Sequence, residues 1–426
     1  MAILERVAPA SPAPSKAEAP APMAPAAMEE TGLTGQFVSD LVLKILYQKG
    51  QTTAADLADT ICLPLPKILQ SVLDFLKAEH FVEVKGGSGM AAATYVYILS
   101  AKGAERAREA FAKNGYVGAA PVTLGAYVNR VRAQSIGDMQ VTFDEIRKAL
   151  THLVLPEKTL RQLGPAINSG RSIFLFGPPG TGKSSIAETL AGMLKGSIVL
   201  PYAILVGQQV IRVFDPSRHK PLVALDARFD RRWIPVNRPF VEVGGELTLE
   251  DLDLTFDEVS KVHEAPFQMK ASGGVLLIDD FGRQRASPEM LLNRWIVPLD
   301  RDVDFLTLSD GRKIEVPFDV LLVFATNRTP SSLVDEAFLV AETNGVELLW
   351  NTVDDYHALF YRHLVPSTYN HQSSMLQDLR RGRRTEIDAI NGAIWRYGQQ
   401  LGIPTPFNEI MTRLIWERER KCREAN

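Results

Sequence analysis

Cysteine is nearly missing from this chain: Cys62 and Cys422 are its two thiols in 426 residues. They build no disulfide framework, and neither has neighbours at metal-ligand spacing. No apolar run approaches the roughly 20 residues that cross a bilayer. The N-terminus lacks the basic-then-apolar pattern of a signal peptide. Together these absences make a reducing cytoplasm the expected location. Charge of one sign is also lacking, since the formal balance is −3, so nothing draws the whole chain to nucleic acid or to a membrane surface. What remains is 46% hydrophobic and 23% charged, the composition of an ordinary globular protein with ample material for cores. The length suggests about three domains.

Four segments differ in texture. Residues 1–32 are mostly Ala and Pro. Pro blocks helix interiors and sheet ladders, so a disordered, partly extended tail is expected there. Residues 35–113 contain VSDLVLKILYQKG, with helical spacing and a stop at Gly50. TTAADLADTIC follows with a capping Thr, and LPKILQSVLDFLKAEHFVEV is a third helix running into a strand. TYVYILS alternates as a second strand. This order resembles a winged-helix module, which implies DNA or a protein as partner. The third helix carries only Lys67 and Lys77 as cations, whereas phosphate contacts need clustered Lys and Arg, so a protein partner is the expectation. The turn GSGMAA (87–92) matches a dinucleotide fingerprint loosely, but a strand rather than a helix follows it.

The third segment, residues 135–338, contains the loudest chemistry. RSIFLF is a buried strand, and it runs into Gly177, Pro178, Pro179, Gly180, Thr181, Gly182, Lys183, Ser184 and Ser185 before an amphipathic helix. This is G-x-x-x-x-G-K-[ST] in its strand–loop–helix setting. Glycines let backbone N–H groups turn toward phosphates. Lys183 is placed to pair with the β- and γ-phosphates, and the Ser184 hydroxyl to ligate Mg²⁺. GGVLLIDDFGR then delivers Asp279 and Asp280 at the C-terminal end of a second buried strand, the edge where open α/β sheets bind ligands. Asp279 is the expected metal carboxylate, through water, and Asp280 the group that orients an attacking water. FDVLLVFATN ends a third strand at Asn327. The order GPPGTGKSS, LLIDDFGR, FATNRTP is similar to the AAA+ ATPases, and LDRDVDFLTLSDGRKIEVPFDVLLVFATN resembles their MoxR-type branch, in which a hairpin precedes the third strand. The resemblance implies ATP and Mg²⁺ as cofactors, Asn327 as a sensor of the terminal phosphate, a ring of copies, and Arg301 as the arginine offered to a neighbour, with Arg294 and Arg328 as other candidates. Two departures stand out. Asp280 replaces the usual Glu, and after Phe338 no finger, fifth strand or helical lid is legible.

Residues 339–426 change character. NHQSSMLQDLRRGRRTEIDAINGAIWRYGQQLGIPTPFN closely resembles the C-terminal helical domain of ketopantoate reductases. Ile387, Ile390, Ile394, Tyr397 and Leu401 share a helical face that Gly402 and Pro404 end. The resemblance gives Ser374 and Glu386 as positions that contact a hydroxy-acid substrate. Taken alone, Glu386 is a carboxylate at a helix start, and the arginines at 380, 381, 383 and 384 are a solvated basic turn. The rest of a reductase is not legible: no NADPH-binding domain, and ATPase sequence where the catalytic lysine helix belongs.

The expected architecture is therefore multidomain α/β: a winged-helix module, a P-loop parallel-sheet core without its lid, and an all-α C-terminal fragment. An evolved fusion, a recombined gene and an assembly error all fit a seam near residue 338. The seam leaves the strand feeding the P-loop with an open edge, for which GVELLW (345–350) is the nearby candidate cover. It also leaves the C-terminal helices with an apolar face to dock or to expose. Three functions follow. The first is Mg²⁺-dependent ATP hydrolysis, the second an ATP-binding interaction module without turnover, and the third a reductase remnant expected to be inactive.

Overall fold

Short hydroxyl side chains start most helices of the N-terminal half. In the computed structural model, Thr34 accepts from Phe37 N, Thr53 from Asp56 N and Ser100 from Gly103 N. Thr142 and Glu145 form a reciprocal capping box. Each cap satisfies an N–H that the first helical turn leaves without a partner. The described residues are 20–86, 92–137, 139–168, 172–222, 228–286, 288–327, 331–350, 352–360 and 374–424.

The first unit consists of helices Gly35–Lys49, Ala54–Ile61, Gln70–Ala78 and Ala101–Lys113 around a three-stranded antiparallel sheet. Strand Val96–Leu99 is central, flanked by Val82–Val84 and by Gln51–Thr53. The last of these strands has no counterpart in the sequence reading. Most of the GSGMAA turn, residues 87–91, lies outside the described residues.

Lys44 is buried in this unit at 2% exposure. Its Nζ donates to Asn114 O at 3.1 Å and to Asn114 Oδ1 at 2.7 Å, closing the end of helix Ala101–Lys113. Burial lowers its pKa from 10.5 to about 8, with Asp40 acting in the opposite sense. The folded chain therefore holds fewer protons than the unfolded chain between these two values, and stability rises with pH across that window. Between pH 8 and 9.5 the gain is expected to be just under about 2 kcal/mol, measured as the difference between wild type and Lys44→Met. Denaturant melts from pH 8 to 9.5 stay below the range where tyrosines ionise. Equal pH slopes for the two proteins would refute the assignment.

Residues 20–32 depart from the expected disorder. Asp230 N donates to Pro22 O and Ala24 N to Arg228 O, and a short helix, Met28–Thr31, follows. Proline lacks a donor but keeps its carbonyl acceptor, so this segment pairs with 228–230 despite its composition. Arg232 secures it by donating from NH1 to Thr31 O at 2.8 Å.

Residues 122–264 also build a five-stranded sheet in the order Thr255–Asp257, Val262–Glu264, Gln209–Arg212, Ala203–Val206, Val122–Thr123. Beside it Ser197–Pro201 pairs with Trp233–Asn237.

The sheet that positions the site has four parallel strands, in the order Phe240–Val243, Gly274–Ile278, Val320–Thr326, Ile173–Phe176. Residues 274–278 are all buried, as are 320–326, which explains their uninterrupted apolar sequence. Gly274 starts its strand against the neighbouring chain, where an added Cβ would stand 2.1 Å from Pro239 O. The hairpin Val303–Thr307 with Lys313–Pro317 precedes the third strand. Ile173–Phe176 is an edge, with Phe176 54% exposed. GVELLW does not cover it, because residues 345–350 form no strand and Leu349 is 91% exposed.

The chain continues through residue 338 inside one helix, Ser331–Thr343. That helix packs on Asn391–Leu401 and Pro406–Glu424, and Pro406–Glu424 packs in turn on Pro288–Arg301. Ile410 joins the core containing Trp295, Phe318 and Phe324. The helical C-terminal region is thus docked on the sheet unit by part of its apolar surface. Ile390 and Tyr397 stay 46% and 48% exposed. Ile387 and Ile390 fall outside the helix expected to hold them, which begins at Asn391 and ends at Gly402 in the left-handed region.

Candidate functional site

Three strand ends converge at the C-terminal edge of the parallel sheet. Ile173–Phe176 leads into the loop 177–182 and then the helix Lys183–Met193. Gly177, Gly180 and Gly182 adopt φ of 151°, 78° and 80°, values that side-chain-bearing residues rarely take. They let the loop fold around its own interior. Thr181 Oγ1 braces it by donating to Pro178 O at 2.8 Å.

Lys183 Nζ lies inside the loop and donates to Gly177 O and Pro178 O, both at 3.0 Å, and to Asn327 Oδ1 at 2.8 Å. Asn327 Nδ2 in turn donates to Asp280 Oδ1 at 2.8 Å. Ser184 Oγ donates to Asp279 Oδ2 at 2.9 Å. The structure thus joins Lys183, Ser184, Asp279, Asp280 and Asn327, drawn from positions up to 144 residues apart, in one half-buried network. Asp280 has φ of 49°, a left-handed conformation that Asp tolerates better than most residues. The turn after it is held by Phe281 N donating to Ala325 O. Ser185 and most of the loop face solvent.

Two members had no motif to announce them. Gln284 Nε2 donates to Asp279 O, and its Oε1 accepts from Gly282 N, so it shapes the turn carrying both aspartates. Glu242, next to last in the strand Phe240–Val243, lies beside Asp279. Its pKa is raised by burial first, and then by the charges of Asp279 and Glu188. The rule that ligands bind at the carboxyl ends of parallel strands could have located Glu242, had its strand been recognised.

The arginines separate clearly. Arg294 is occupied: its guanidinium donates to both carboxylate oxygens of Asp304, at 2.6 and 3.0 Å, and to Leu252 O. Asp304 is 1% exposed, so Arg294 supports the core and is withdrawn as a residue offered to another copy. Arg301 is exposed at the end of its helix. Arg328 lies outside the described residues.

Ser374 opens the helix Ser374–Arg380 and is exposed, as is Glu386. The basic turn between them is anchored from below, where Thr385 N and Oγ1 both donate to Glu419 Oε1 at 2.6 Å. Among the described residues no hydrogen bond links Ser374 or Glu386 to the loop site.

Chemically, the site offers the Lys183 ammonium and the N-terminus of helix Lys183–Met193 to an anion. Among the described residues no group of three or more His, Cys, Asp or Glu is arranged to hold a metal. No helix is long and apolar enough to cross a membrane among those residues.

Comparison with known proteins points elsewhere for part of the chain. Residues 316–419 match the family described as ketopantoate reductase PanE/ApbA C terminal. A 2-dehydropantoate 2-reductase of Aquifex aeolicus is 25% identical over 305 residues, covering 68% of this chain and 86% of its own length. Another, from Pyrobaculum aerophilum, is 34% identical over 90 residues, or 21% of this chain and 30% of the relative. Reductase similarity therefore reaches beyond the fragment after residue 339, into residues expected to be ATPase alone. Two solved structures also resemble the chain: the BchI–BchD complex of magnesium chelatase (18% identity, 57% of this chain and 72% of that one, TM-score 0.29) and NtrX from Brucella abortus in complex with ATP (15%, 47% and 32%, TM-score 0.24). Neither superposes closely enough to define a shared fold. The assignment of ATP and Mg²⁺ as cofactors is overturned by the relatives. They are named as reductases, whose chemistry draws on a hydride donor rather than on ATP with Mg²⁺.

Proposed function

We propose that this chain binds a nucleotide through its phosphates at residues 177–184, and that the docked helical region is a reductase-type domain that has kept its fold without its reaction. The carrying observation is the hydrogen-bonded set Lys183–Asn327–Asp280 beside Ser184–Asp279. A lysine held inside a glycine turn, at the start of a helix and at the open edge of a parallel sheet, is placed for a polyphosphate. A nicotinamide dinucleotide and inorganic pyrophosphate share that chemistry, so the test presents both. Titration calorimetry of the full chain with NADPH and with pyrophosphate is expected to register heat for at least one. Lys183→Ala should weaken it by about tenfold to a hundredfold, the worth of one charge-assisted hydrogen bond. Silence with both ligands, or undiminished binding by Lys183→Ala, would remove the proposal.

A second reading, reduction of ketopantoate, is favoured by the family match over residues 316–419. It would use Ser374 and Glu386 on the exposed side of the helical region. The dinucleotide fingerprint a hydride donor would need stands only at 87–92, without a following helix. The same preparation, given NADPH and ketopantoate, is therefore expected to consume no NADPH. Consumption that disappears in Glu386→Ala would instead establish the reductase.

A further inference from the structure

We propose that the groove between helices Gly35–Lys49 and Gln70–Ala78 is a docking site for an amphipathic protein helix bearing basic residues. This rests on reading residues 35–113 as a protein-contact unit, and it is independent of nucleotide binding at Lys183.

The groove encloses about 640 Å³. Its floor is apolar, from Leu43, Val72 and Leu76, each below 5% exposure, whereas Phe75 on its wall is 53% exposed. An exposed aromatic beside a buried aliphatic floor is the usual make-up of an interface anchor site. Gly35 keeps one end open, with no atom within 4 Å of where its Cβ would stand. A cleft for a small molecule surrounds most of its ligand. A groove open to solvent between two helices suits another helix, laid in by anchors three and four residues apart.

Charge at the rim selects the sign of that helix. Asp40 and Glu79 line the groove with Arg106. Arg106 is paired to Asp40 at 3.0 Å and to Glu109 at 2.9 Å, and Lys102 stands 3.9 Å from Glu79. Of the charged groups that line the groove, two are carboxylates, Asp40 and Glu79, and one is a cation, Arg106, and this excess disfavours a phosphate backbone while favouring a basic partner.

The test uses the full chain, wild type and Phe75→Glu, with a designed leucine–lysine amphipathic helix, its leucine–glutamate counterpart and duplex DNA as probes. Wild type is expected to bind the leucine–lysine helix, and Phe75→Glu to bind it at least ~10-fold more weakly. Phe75→Glu adds a negative charge, so attraction by charge alone would strengthen binding in this variant. Circular dichroism checks that the exposed substitution leaves the fold intact. The proposal fails if the variant binds as well as or better than wild type, if the leucine–glutamate helix is preferred, if DNA displaces the peptide, or if no peptide binds. It fails equally if Phe75→Glu abolishes a self-association of wild type, since the groove would then be filled by a second copy.

Discussion

Arg232→Ala is expected to lower stability by about 3 to 5 kcal/mol, among the largest losses available to one substitution in this chain. Arg232 and Asp230 are 5% and 3% exposed. Their pair is bidentate: Nε reaches Oδ1 at 3.0 Å and NH2 reaches Oδ2 at 2.8 Å. Removing the cation leaves a carboxylate in the interior with little to balance it, and it also removes the donor that Thr31 O depends on. The loss should appear in urea melts, with faster proteolysis within residues 20–32 as its local sign. The double variant Asp230→Leu/Arg232→Met should recover most of the stability, because the penalty lies in the unpaired charge. If the single variant melts within 1 kcal/mol of wild type (about a fivefold change in the folded-to-unfolded ratio), the pair does not hold the segment.

Glu336→Ala should be nearly as damaging, at about 3 kcal/mol. The Glu336 carboxylate accepts from Phe407 N and Asn408 N, both at 2.9 Å, and from Asn408 Nδ2 at 2.7 Å. It belongs to the helix Ser331–Thr343, which follows the strand Val320–Thr326, and it caps Pro406–Glu424 at the start. Pro406 is already suited to a first helical position, so the acid supplies the missing acceptor where the helix dipole favours negative charge. Without it the C-terminal helix loses this cap at its start, while Ile410 stays packed with Trp295 and Phe318 further along. Hydrogen exchange should then accelerate in residues 406–424 before the parallel sheet is affected. Uniform acceleration throughout would show that the two regions unfold as one. Glu336→Gln, which keeps two acceptor sites on one oxygen, should lose roughly half as much.

The parts of this fold that were legible carry their own local signal. Ile173–Phe176, Gly274–Ile278 and Val320–Thr326 are apolar runs ending in Gly, Asp-Asp and Asn, and their neighbours along the chain name their chemistry. The five-stranded sheet was not legible, because its strands are two to four residues long and find partners far away, as Val122 does with Ile204. One signal was present: Gly207, at φ of 63°, turns the chain between Ala203–Val206 and Gln209–Arg212 in the manner of a two-residue hairpin loop. Glu242 stayed hidden because one acid in FVEV is no motif. Residues 20–32 were misjudged because composition describes what a segment can do alone, whereas its acceptors are used by residues 228–232. The docking of Ile410 likewise depends on Trp295 and Phe318, which no local pattern connects to it.

Among the described residues the strand Ile173–Phe176 has one sheet neighbour, and Ile173 meets its register partner Val323 only after 150 more residues of chain. At ribosomal speeds of ~5–20 residues per second, roughly 8 to 30 s elapse between the synthesis of the two. During translation the nascent segment must wait with both ladders open. The last strand to emerge, Val320–Thr326, is therefore the one that closes the sheet and draws Asn327 to Lys183, so assembly around the loop 177–182 is timed by the exit of residue 327 from the ribosome.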